Sequence, residues 1–200
     1  MRTTTALAEL ALGSALSLHA RELALAHGVP HGDGVPQDLL IVGMGKLGGG
    51  ELNVPSDIDP VFVYDKDGTT CASEGQSEVP RPLTNQEFFE RLGRRVIAAL
   101  AAVTGDGFVF RVDMRLRPNG DSGPLVISND MLEEYLVALG REWERFAWLK
   151  GRVVSKPVFA TDAQFAVQLA GLEDLVRPFV FRKYLDYGAI ASLRELHALI

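Results

Sequence analysis

Apolar positions in the first part of the chain recur at helical spacing. From about Thr4 to His27 the pattern predicts an amphipathic helix, and Gly28-Val29-Pro30 supplies the glycine and proline that commonly end one. The predicted apolar stripe consists of Leu7, Leu10, Ala11, Ser14 and Leu18. Glu9 interrupts the apolar stretch, which favours a helix of the folded protein over a signal peptide.

Two short apolar runs flank a glycine-rich turn and are predicted to be strands. The first covers residues 39–42, and the second covers residues 58–64 and is rich in β-branched and aromatic side chains. The turn between them starts at Gly43 and reads G-M-G-K-L-G-G-G. Residues 31–37 and the polar residues 65–82 are predicted to be loops.

The middle of the chain contains a clear helix signal followed by a strongly alternating segment. Thr84 and Glu87 match a capping box, and a helix is predicted behind them until Gly105. Its apolar face consists of Phe88, Leu92, Val96, Ile97, Leu100 and Val103. Residues 108–117 alternate strictly, which predicts a strand with one charged face. That face carries Val109, Arg111, Asp113, Arg115 and Arg117.

The last part of the chain is mostly helical in pattern. The elements predicted first are a turn at 118–120, a strand at 125–127, a helix capped near 128–130 and a helix carrying Trp143, Phe146 and Ala147. The helical pattern resumes at Asp162 and is expected to break at Arg177-Pro178. Residues 193–200 lack a capping glycine, so we expect a helix that continues in a longer protein.

Composition narrows the class of protein. The 200 residues are 47% hydrophobic and 23% charged, which excludes disorder, collagen and coiled coil. A net charge of −6 argues against binding nucleic acid or an anionic membrane through bulk electrostatics, and no apolar run is long enough to span a bilayer. The single cysteine, Cys71, cannot form an internal disulfide and agrees with the cytoplasmic location that we expect.

The string from Gly43 to Gly48 matches the glycine fingerprint of dinucleotide-binding folds, but its context does not fit. Only nine residues separate Gly48 from Ile58, too few for a parallel crossover with its helix. A glycine-rich turn can still bind phosphate through backbone N–H groups, and Lys46 adds a positive charge. The alternative is a tight turn without a ligand, although five glycines in eight residues favour phosphate contact.

Three aspartates form a candidate metal site. Asp57 and Asp59 are two residues apart in a predicted extended segment, so their carboxylates point the same way and repel unless a cation binds. If Asp113 lies on the neighbouring strand, it joins them in a site for two Mg²⁺ or Mn²⁺ ions. The alternative is an ion-paired surface, but three arginines to one carboxylate on that face leave unpaired positive charge for an anionic ligand.

Two long strings resemble the bifunctional glutamine synthetase adenylyltransferase/adenylyl-removing enzymes of bacteria. They are residues 43–59, G-M-G-K-L-G-G-G-E-L-N-V-P-S-D-I-D, and residues 110–126, F-R-V-D-M-R-L-R-P-N-G-D-S-G-P-L-V. The resemblance runs from about Leu7 to the last residue and implies an α+β nucleotidyltransferase fold of the DNA-polymerase-β type. We therefore expect a mixed sheet with flanking helices, followed by the start of a helical bundle. The expected units are an N-terminal helix at 1–30, a catalytic domain at 37–158 and a truncated helical segment at 159–200.

The resemblance also implies roles for individual residues. Asp57, Asp59 and Asp113 correspond to the catalytic, metal-binding carboxylates, and Gly48-Gly49 corresponds to the nucleotide-phosphate loop. The cations expected nearest to the phosphate are Lys46, Arg115 and Arg117. Pro60 stands where the family normally has leucine, and it removes a backbone hydrogen-bond donor next to Asp59.

The strings at residues 140–147 and 177–184 look like the N-terminal, adenylyl-removing copy of the two nucleotidyltransferase domains in this family. That copy removes AMP from a tyrosine of glutamine synthetase by phosphorolysis and forms ADP, in the regulation of nitrogen assimilation. One alternative is the ATP-dependent, AMP-attaching half. Another is a non-catalytic fragment that binds glutamine synthetase or the PII signal protein, which the three intact aspartates argue against.

Overall fold

Helices cover both faces of a four-stranded mixed sheet in the computed structural model, which describes residues 2–72, 81–105 and 107–181. The helices of the described residues are α1 Arg2–His27, α2 Gly45–Gly48, α3 Asn85–Ala101, α4 Asn129–Ala138, α5 Glu142–Leu149 and α6 Asp162–Val180. The strands are β1 Val29–Gly32, β2 Val35–Pro36, β3 Leu40–Gly43, β4 Pro60–Tyr64, β5 Thr69–Cys71, β6 Val126–Ser128 and β7 Arg152–Val153. The α+β class is confirmed.

The central sheet has the strand order β6-β4-β3-β7. β3 and β4 are antiparallel, with Leu40 opposite Val63 and Gly43 opposite Pro60, whereas β6 runs parallel to β4. An antiparallel pair needs no crossover helix, so the rejection of a dinucleotide-binding unit at the glycine turn is confirmed. A second small sheet is antiparallel throughout and has the order β2-β1-β5.

Both faces of the central strands are buried. Ile41 and Phe62 face one core, which α1 and α3 complete, whereas Val42 and Val61 face a second core against α4, α5 and α6. Strands covered on both faces read as continuous apolar runs, which explains why β3 and β4 show no alternation.

The N-terminal helix is confirmed, but the predicted apolar stripe is wrong. Leu7, Leu10 and Leu18 are 55%, 66% and 57% exposed. The buried residues are Thr5, Ala8, Leu12, Leu16, Ala20, Leu23 and Ala24. Leucine and alanine occur on every side of α1, so spacing alone did not indicate which stripe packs against α3.

The predicted N-terminal starts of α3 and α4 are confirmed by their caps. Thr84 and Glu87 form the expected reciprocal capping box at α3, and Ser128 accepts a hydrogen bond from the Met131 N–H at α4. The short strand before α4 and the helix that carries Trp143 are also present, as β6 and α5. Val103, predicted on the apolar face of α3, lies beyond the end of that helix and is exposed.

Both segments predicted as loops contain short strands. Asp33 and Gly34 adopt positive φ angles of 51° and 75°, which closes a tight hairpin between β1 and β2. β5 lies within the second predicted loop and pairs with β1. Residues 73–80 of that loop lie outside the described residues.

The strand predicted over residues 108–117 is wrong. In this fully described segment only Val112 forms a β-bridge, parallel to Ile58, and Phe108 and Val109 are both 52% exposed. A parallel ladder would continue with an N–H of residue 60 donating to the Asp113 carbonyl, but Pro60 has no N–H. The ladder to this segment stops after one bridge, at the position where this donor is missing.

The break predicted at Arg177-Pro178 is also wrong, because α6 continues through Pro178 to Val180. A proline in the last turn removes only the bond to the carbonyl four residues earlier, and the helix ends shortly afterwards. The helical pattern of residues 193–200 lies outside the described residues. Among the helices that the structure describes, none is both long enough and apolar enough to cross a membrane.

Candidate active site

One β-bridge brings the predicted metal-binding segments together. The Ile58 N–H donates to the Arg111 carbonyl, and the Asp113 N–H donates to the Ile58 carbonyl, both at 2.9 Å. Ile58 and Val112 point into the core, so the residues on either side of them point to the opposite face. Asp57, Asp59 and Asp113 therefore share one face, and the condition on which the candidate metal site depended, that the two segments are neighbours, is met.

Two of the three aspartates are paired with arginines. Arg111 Nε donates to Asp57 Oδ1 at 2.6 Å, and Arg111 Nη2 donates to the Pro55 carbonyl at 3.2 Å. Arg115 Nε lies 3.0 Å from Asp113 Oδ1 and 2.9 Å from Asp113 Oδ2. The Arg115 backbone N–H also donates to Asp113, and the hydrogen bonds from Arg115 lower the pKa of this carboxyl.

The third aspartate, Asp59, lacks such a partner. No hydrogen bond or ion pair from the described part of the chain reaches its carboxylate. Burial, followed by the nearby charges of Asp113 and Asp57, raises the pKa of Asp59 to about 6, and Arg115 and Lys46 partly oppose this rise. The negative charge of Asp59 is therefore the one in this site that no arginine neutralises by a direct ion pair.

The glycine turn lies directly beside Asp59. Gly45 has a φ of +51°, and a Cβ at that position would lie 3.3 Å from Asp59 Oδ2. The Met44 N–H donates to the Asp59 carbonyl at 2.8 Å, which joins the turn to the start of β4. Glycine at position 45 thus allows both the left-handed backbone and the close approach to the carboxylate.

The turn itself is a short helix that uses its own N–H groups. The Gly48 N–H donates to the Met44 carbonyl at 3.0 Å, and the Gly49 N–H donates to the Gly45 carbonyl at 3.1 Å. A Cβ at Gly48 would lie only 2.1 Å from the Lys150 carbonyl oxygen, so this glycine is required for packing. Its expected role in phosphate binding stays a prediction.

The predicted cations differ in how they are held. Lys46 is exposed, with Nζ 3.4 Å from Ser56 Oγ, and Arg115 is 75% exposed. The Arg117 side chain is only 12% exposed, donates to the Met114 carbonyl and lies 3.4 Å from Asp121. The expectation of unpaired positive charge on this face is therefore wrong, because each of its three arginines has a carboxylate partner.

Sequence reasoning missed a residue behind the glycine turn. Arg152 donates to the carbonyls of Gly48 at 3.1 Å and Leu47 at 3.3 Å, and it forms an ion pair with Glu9 of α1. It thereby holds the C-terminal end of the turn from a position about 100 residues away in the chain. No local motif marks such a contact. Arg111, by contrast, was already visible on the charged side of the alternating segment, and only its pairing with Asp57 was not expected.

The donors at this site suit a hard divalent cation, although their present arrangement does not form a complete ligand set. Carboxylate oxygens are the ligands that Mg²⁺ and Mn²⁺ prefer. As the side chains stand, no group of three His, Cys, Asp or Glu residues in the described ranges could hold a metal ion. Asp57 and Asp113 are instead ion-paired with Arg111 and Arg115.

These features together place the domain in the class of α+β nucleotidyltransferase-like folds. The family model of glutamate-ammonia ligase adenylyltransferase matches residues 1–167. Three relatives carry the name bifunctional glutamine synthetase adenylyltransferase/adenylyl-removing enzyme. The protein of Ralstonia nicotianae is 56% identical over 198 residues, which are 98% of this chain and 20% of the relative. Those of Burkholderia mallei and Nitrosomonas europaea are 54% and 51% identical over 99% of this chain and about a fifth of their own length.

The chain therefore belongs to the glutamate-ammonia ligase adenylyltransferase family, and the resemblance noted in the sequence is confirmed. It spans about a fifth of the length of the curated relatives that it matches. The relatives' names describe a nucleotidyltransferase with two activities, attachment and removal of an adenylyl group.

Proposed function

We propose that this chain is a metal-dependent nucleotidyltransferase domain that removes AMP from adenylylated glutamine synthetase by phosphorolysis. The observation that carries the proposal is the shared face of Asp57, Asp59 and Asp113, on which burial and then the charges of the other two carboxylates raise the pKa of Asp59. Such repulsion is relieved when a divalent cation binds. Membership of an adenylyltransferase family supports nucleotide chemistry at this site.

The three aspartates would hold Mg²⁺ or Mn²⁺, and the number of carboxylates suits two ions. When bound, the ions stabilise negative charge on the attacking and leaving oxygens. Asp59 is the ligand that needs least rearrangement, because no arginine holds it. Asp57 and Asp113 become available when their arginine partners move.

The cations of the chain would bind the phosphate groups. Lys46 and Arg115 are the best placed, because both charges act on Asp59 and both side chains are exposed. Arg117 would contribute mainly through its electric field, which adds to the larger effect of Arg115 in lowering the pKa of Asp113. Gly48 and Gly49 are proposed to contact the nucleotide, which requires the turn to release N–H groups that it now uses internally.

The proposed reaction exchanges one phosphorus–oxygen bond for another. An oxygen of inorganic phosphate forms a bond to the α-phosphorus of the tyrosine-linked AMP, and the bond from that phosphorus to the tyrosyl oxygen breaks. The tyrosyl oxygen takes a proton from solvent, and the products are ADP and unmodified glutamine synthetase. The positively charged side chains at the site bind the incoming phosphate and orient it.

The direction of the reaction is the part that needs a direct test. Adenylylated glutamine synthetase, Mn²⁺ and inorganic phosphate are incubated with the 200-residue chain, and ADP is measured. We expect ADP to form at a rate that rises with phosphate, to be lost in Asp113→Asn and to be retained in Asp174→Asn, an exposed position on α6.

Two other outcomes identify the alternatives. Attachment of AMP from ATP, without a response to phosphate, would assign the chain to the attaching half. Binding of glutamine synthetase or of the PII signal protein without turnover in either direction would indicate a non-catalytic fragment. The same aspartates serve attachment and removal equally well, so only the acceptor distinguishes these cases.

A further inference from the structure

Two of the three proposed metal ligands already have a cationic partner from the chain itself. Arg111 Nε lies 2.6 Å from Asp57 Oδ1, and Arg115 donates to both carboxylate oxygens of Asp113. A carboxylate that accepts such charge-assisted hydrogen bonds has fewer lone pairs for a metal ion. A divalent cation therefore has to displace these guanidinium groups, at least in part, to bind.

The two arginines can be displaced more readily than their neighbour Arg117. Arg111 and Arg115 are 63% and 75% exposed, whereas Arg117 is 12% exposed and donates to a backbone carbonyl within its own turn. Ion pairs with an exposed partner contribute little net stability, and here water reaches the guanidinium group of each pair, whereas the Asp113 side chain is only 18% exposed. Exchange of a guanidinium for a metal ion at Asp57 or Asp113 is therefore compatible with an intact fold.

The nearby charges balance when no metal is bound. The three aspartates carry three negative charges when ionised, and Arg111, Arg115 and Lys46 carry three positive charges. Addition of a divalent cation gives the site an excess of positive charge, because the displaced arginine side chains remain attached to the neighbouring backbone. An anion with several charges, such as the phosphate groups of a nucleotide, restores the balance.

We propose that Arg111 and Arg115 are exchangeable counter-ions, which neutralise Asp57 and Asp113 in the metal-free protein and bind the phosphate groups once a divalent cation takes these carboxylates. This inference rests on the proposed function, because it takes the aspartates as metal ligands. It adds Arg111 to the phosphate-binding residues. It also makes cation and anion binding mutually dependent, since each ligand must favour the other by the same factor.

Metal affinity measured without any anion tests the exchange. Mn²⁺ is titrated into the 200-residue chain by isothermal titration calorimetry, with neither phosphate nor nucleotide present. Arg115→Gln removes the competing charge, and we expect Mn²⁺ to bind about three- to tenfold more tightly than to the wild type. Arg94→Gln removes a similarly exposed arginine that pairs with Glu90 on α3, and it should leave Mn²⁺ affinity unchanged.

Nucleotide affinity tests the second half of the exchange. Binding of a fluorescent ADP analogue is measured with and without excess Mn²⁺, and the ratio of the two dissociation constants gives the coupling. The wild type is expected to bind the analogue more tightly with Mn²⁺, and Arg115→Gln should lose most of that gain. Arg115→Lys keeps the charge but not the two-pronged hydrogen bonding, so it should fall between the two.

The outcomes separate this inference from the function on which it rests. Tighter Mn²⁺ binding together with weaker coupling in Arg115→Gln supports the exchange. Unchanged or weaker Mn²⁺ binding in both Arg115→Gln and Arg111→Gln overturns the exchange, and the proposed metal site survives if the wild type binds Mn²⁺. A wild-type chain that is folded by circular dichroism but binds no Mn²⁺ overturns the metal site and the exchange together.

Discussion

Each end of the β3–β4 strand pair carries an aspartate, and the two carboxylates have opposite electrostatic environments. Asp38, just before β3, is 2% exposed, and its carboxylate accepts hydrogen bonds from three consecutive backbone N–H groups at 3.0–3.4 Å. These donors belong to Val158, Phe159 and Ala160. Asp59, just before β4 at the other end, has two further carboxylates nearby instead of donors.

The comparison shows why a raised pKa alone does not identify a functional carboxylate. Burial raises the pKa of both Asp38 and Asp59. At Asp38 the N–H donors oppose the rise in pKa, because they stabilise the charged form of the carboxyl. The same hydrogen bonds join the start of β3 to the segment before α6. At Asp59 the neighbouring charges of Asp57 and Asp113 increase the rise. The first arrangement is self-sufficient, whereas the second is relieved by an added cation.

The largest effect is expected at Asp38. In Asp38→Asn the amide offers one acceptor oxygen, and its NH₂ group faces buried N–H donors, so the free energy of unfolding should fall by about 2–4 kcal/mol. Urea denaturation measures this change, with Asp174→Asn as the exposed control. A loss below the error of the measurement would show that the hydrogen bonds to Asp38 do not stabilise the fold and would remove one side of the comparison.

Asp59→Asn is expected to preserve the stability of the fold and to weaken metal binding. Neutralising this side chain removes repulsion with Asp57 and Asp113, so the metal-free chain should be as stable as the wild type or slightly more stable. Mn²⁺ affinity should fall about 100-fold, which is about 2.7 kcal/mol. Calorimetric titration and urea denaturation of the same sample measure both quantities. A variant that is destabilised yet binds Mn²⁺ normally would make Asp59 a structural residue like Asp38.

The pH dependence of stability gives a smaller effect with a definite sign. Because the pKa of Asp59 is about 6 in the fold and 3.8 ordinarily, its protonated form stabilises the fold below 3.8, and that contribution disappears as the pH rises through 6. Solvent screening limits the effect on this half-buried group to about 0.5–1 kcal/mol between about pH 5 and pH 7.

The measurement compares the wild type with Asp59→Asn, both in EDTA, by urea denaturation at the two pH values. Relative to the variant, the wild type should lose stability as the pH rises. A difference between the two proteins that does not change with pH would mean that neither burial nor the neighbouring carboxylates raise the pKa of Asp59.

The parts of the site that sequence predicted well depend on local chemistry. Asp57 and Asp59 share a face because backbone in extended conformation alternates, and the capping boxes of the helices are short-range hydrogen-bond patterns. The approach of Asp113 was only conditional at the sequence level, because two residues more than 50 positions apart meet through a pairing that no local pattern specifies. The β-bridge between Ile58 and Val112 provides that pairing.

The errors came from packing and from contacts over long sequence separation. Leucines on several sides of α1 left its buried stripe undetermined, and the choice depends on the surface of α3. Arg152 supports the glycine turn from far along the chain and has no motif. The arginine pairs were misjudged because counting charges on one segment omitted Asp57, which pairs with Arg111 across the bridge.

The smallest effect is expected from Pro60→Leu, which changes how the candidate site is joined to the sheet. The substitution restores an N–H opposite the Asp113 carbonyl, and one such bond contributes about 0.5–1.5 kcal/mol. Loss of the rigid proline increases the conformational entropy of the unfolded chain, which lowers the free energy of unfolding by about 0.4–1 kcal/mol. The two effects nearly cancel, so the net change in the free energy of unfolding should stay within about 0.5 kcal/mol.

Amide hydrogen exchange shows whether the ladder continues in Pro60→Leu, which the small change in the free energy of unfolding does not show. Continuation of the ladder would give the new amide at position 60 protection from exchange and would draw the Arg115 N–H from the Asp113 carboxylate to the carbonyl of residue 60. Pro60→Ala restores the same N–H without the larger side chain and should show the same protection. If neither amide is protected, the missing N–H is not what ends the ladder, and the path of residues 114–125 toward β6 holds the segment away instead. If the amide at position 60 is protected in both variants, the Arg115 N–H no longer donates to the Asp113 carboxylate. Pro60 then accounts for one of the hydrogen bonds that Arg115 makes to Asp113 in the wild type.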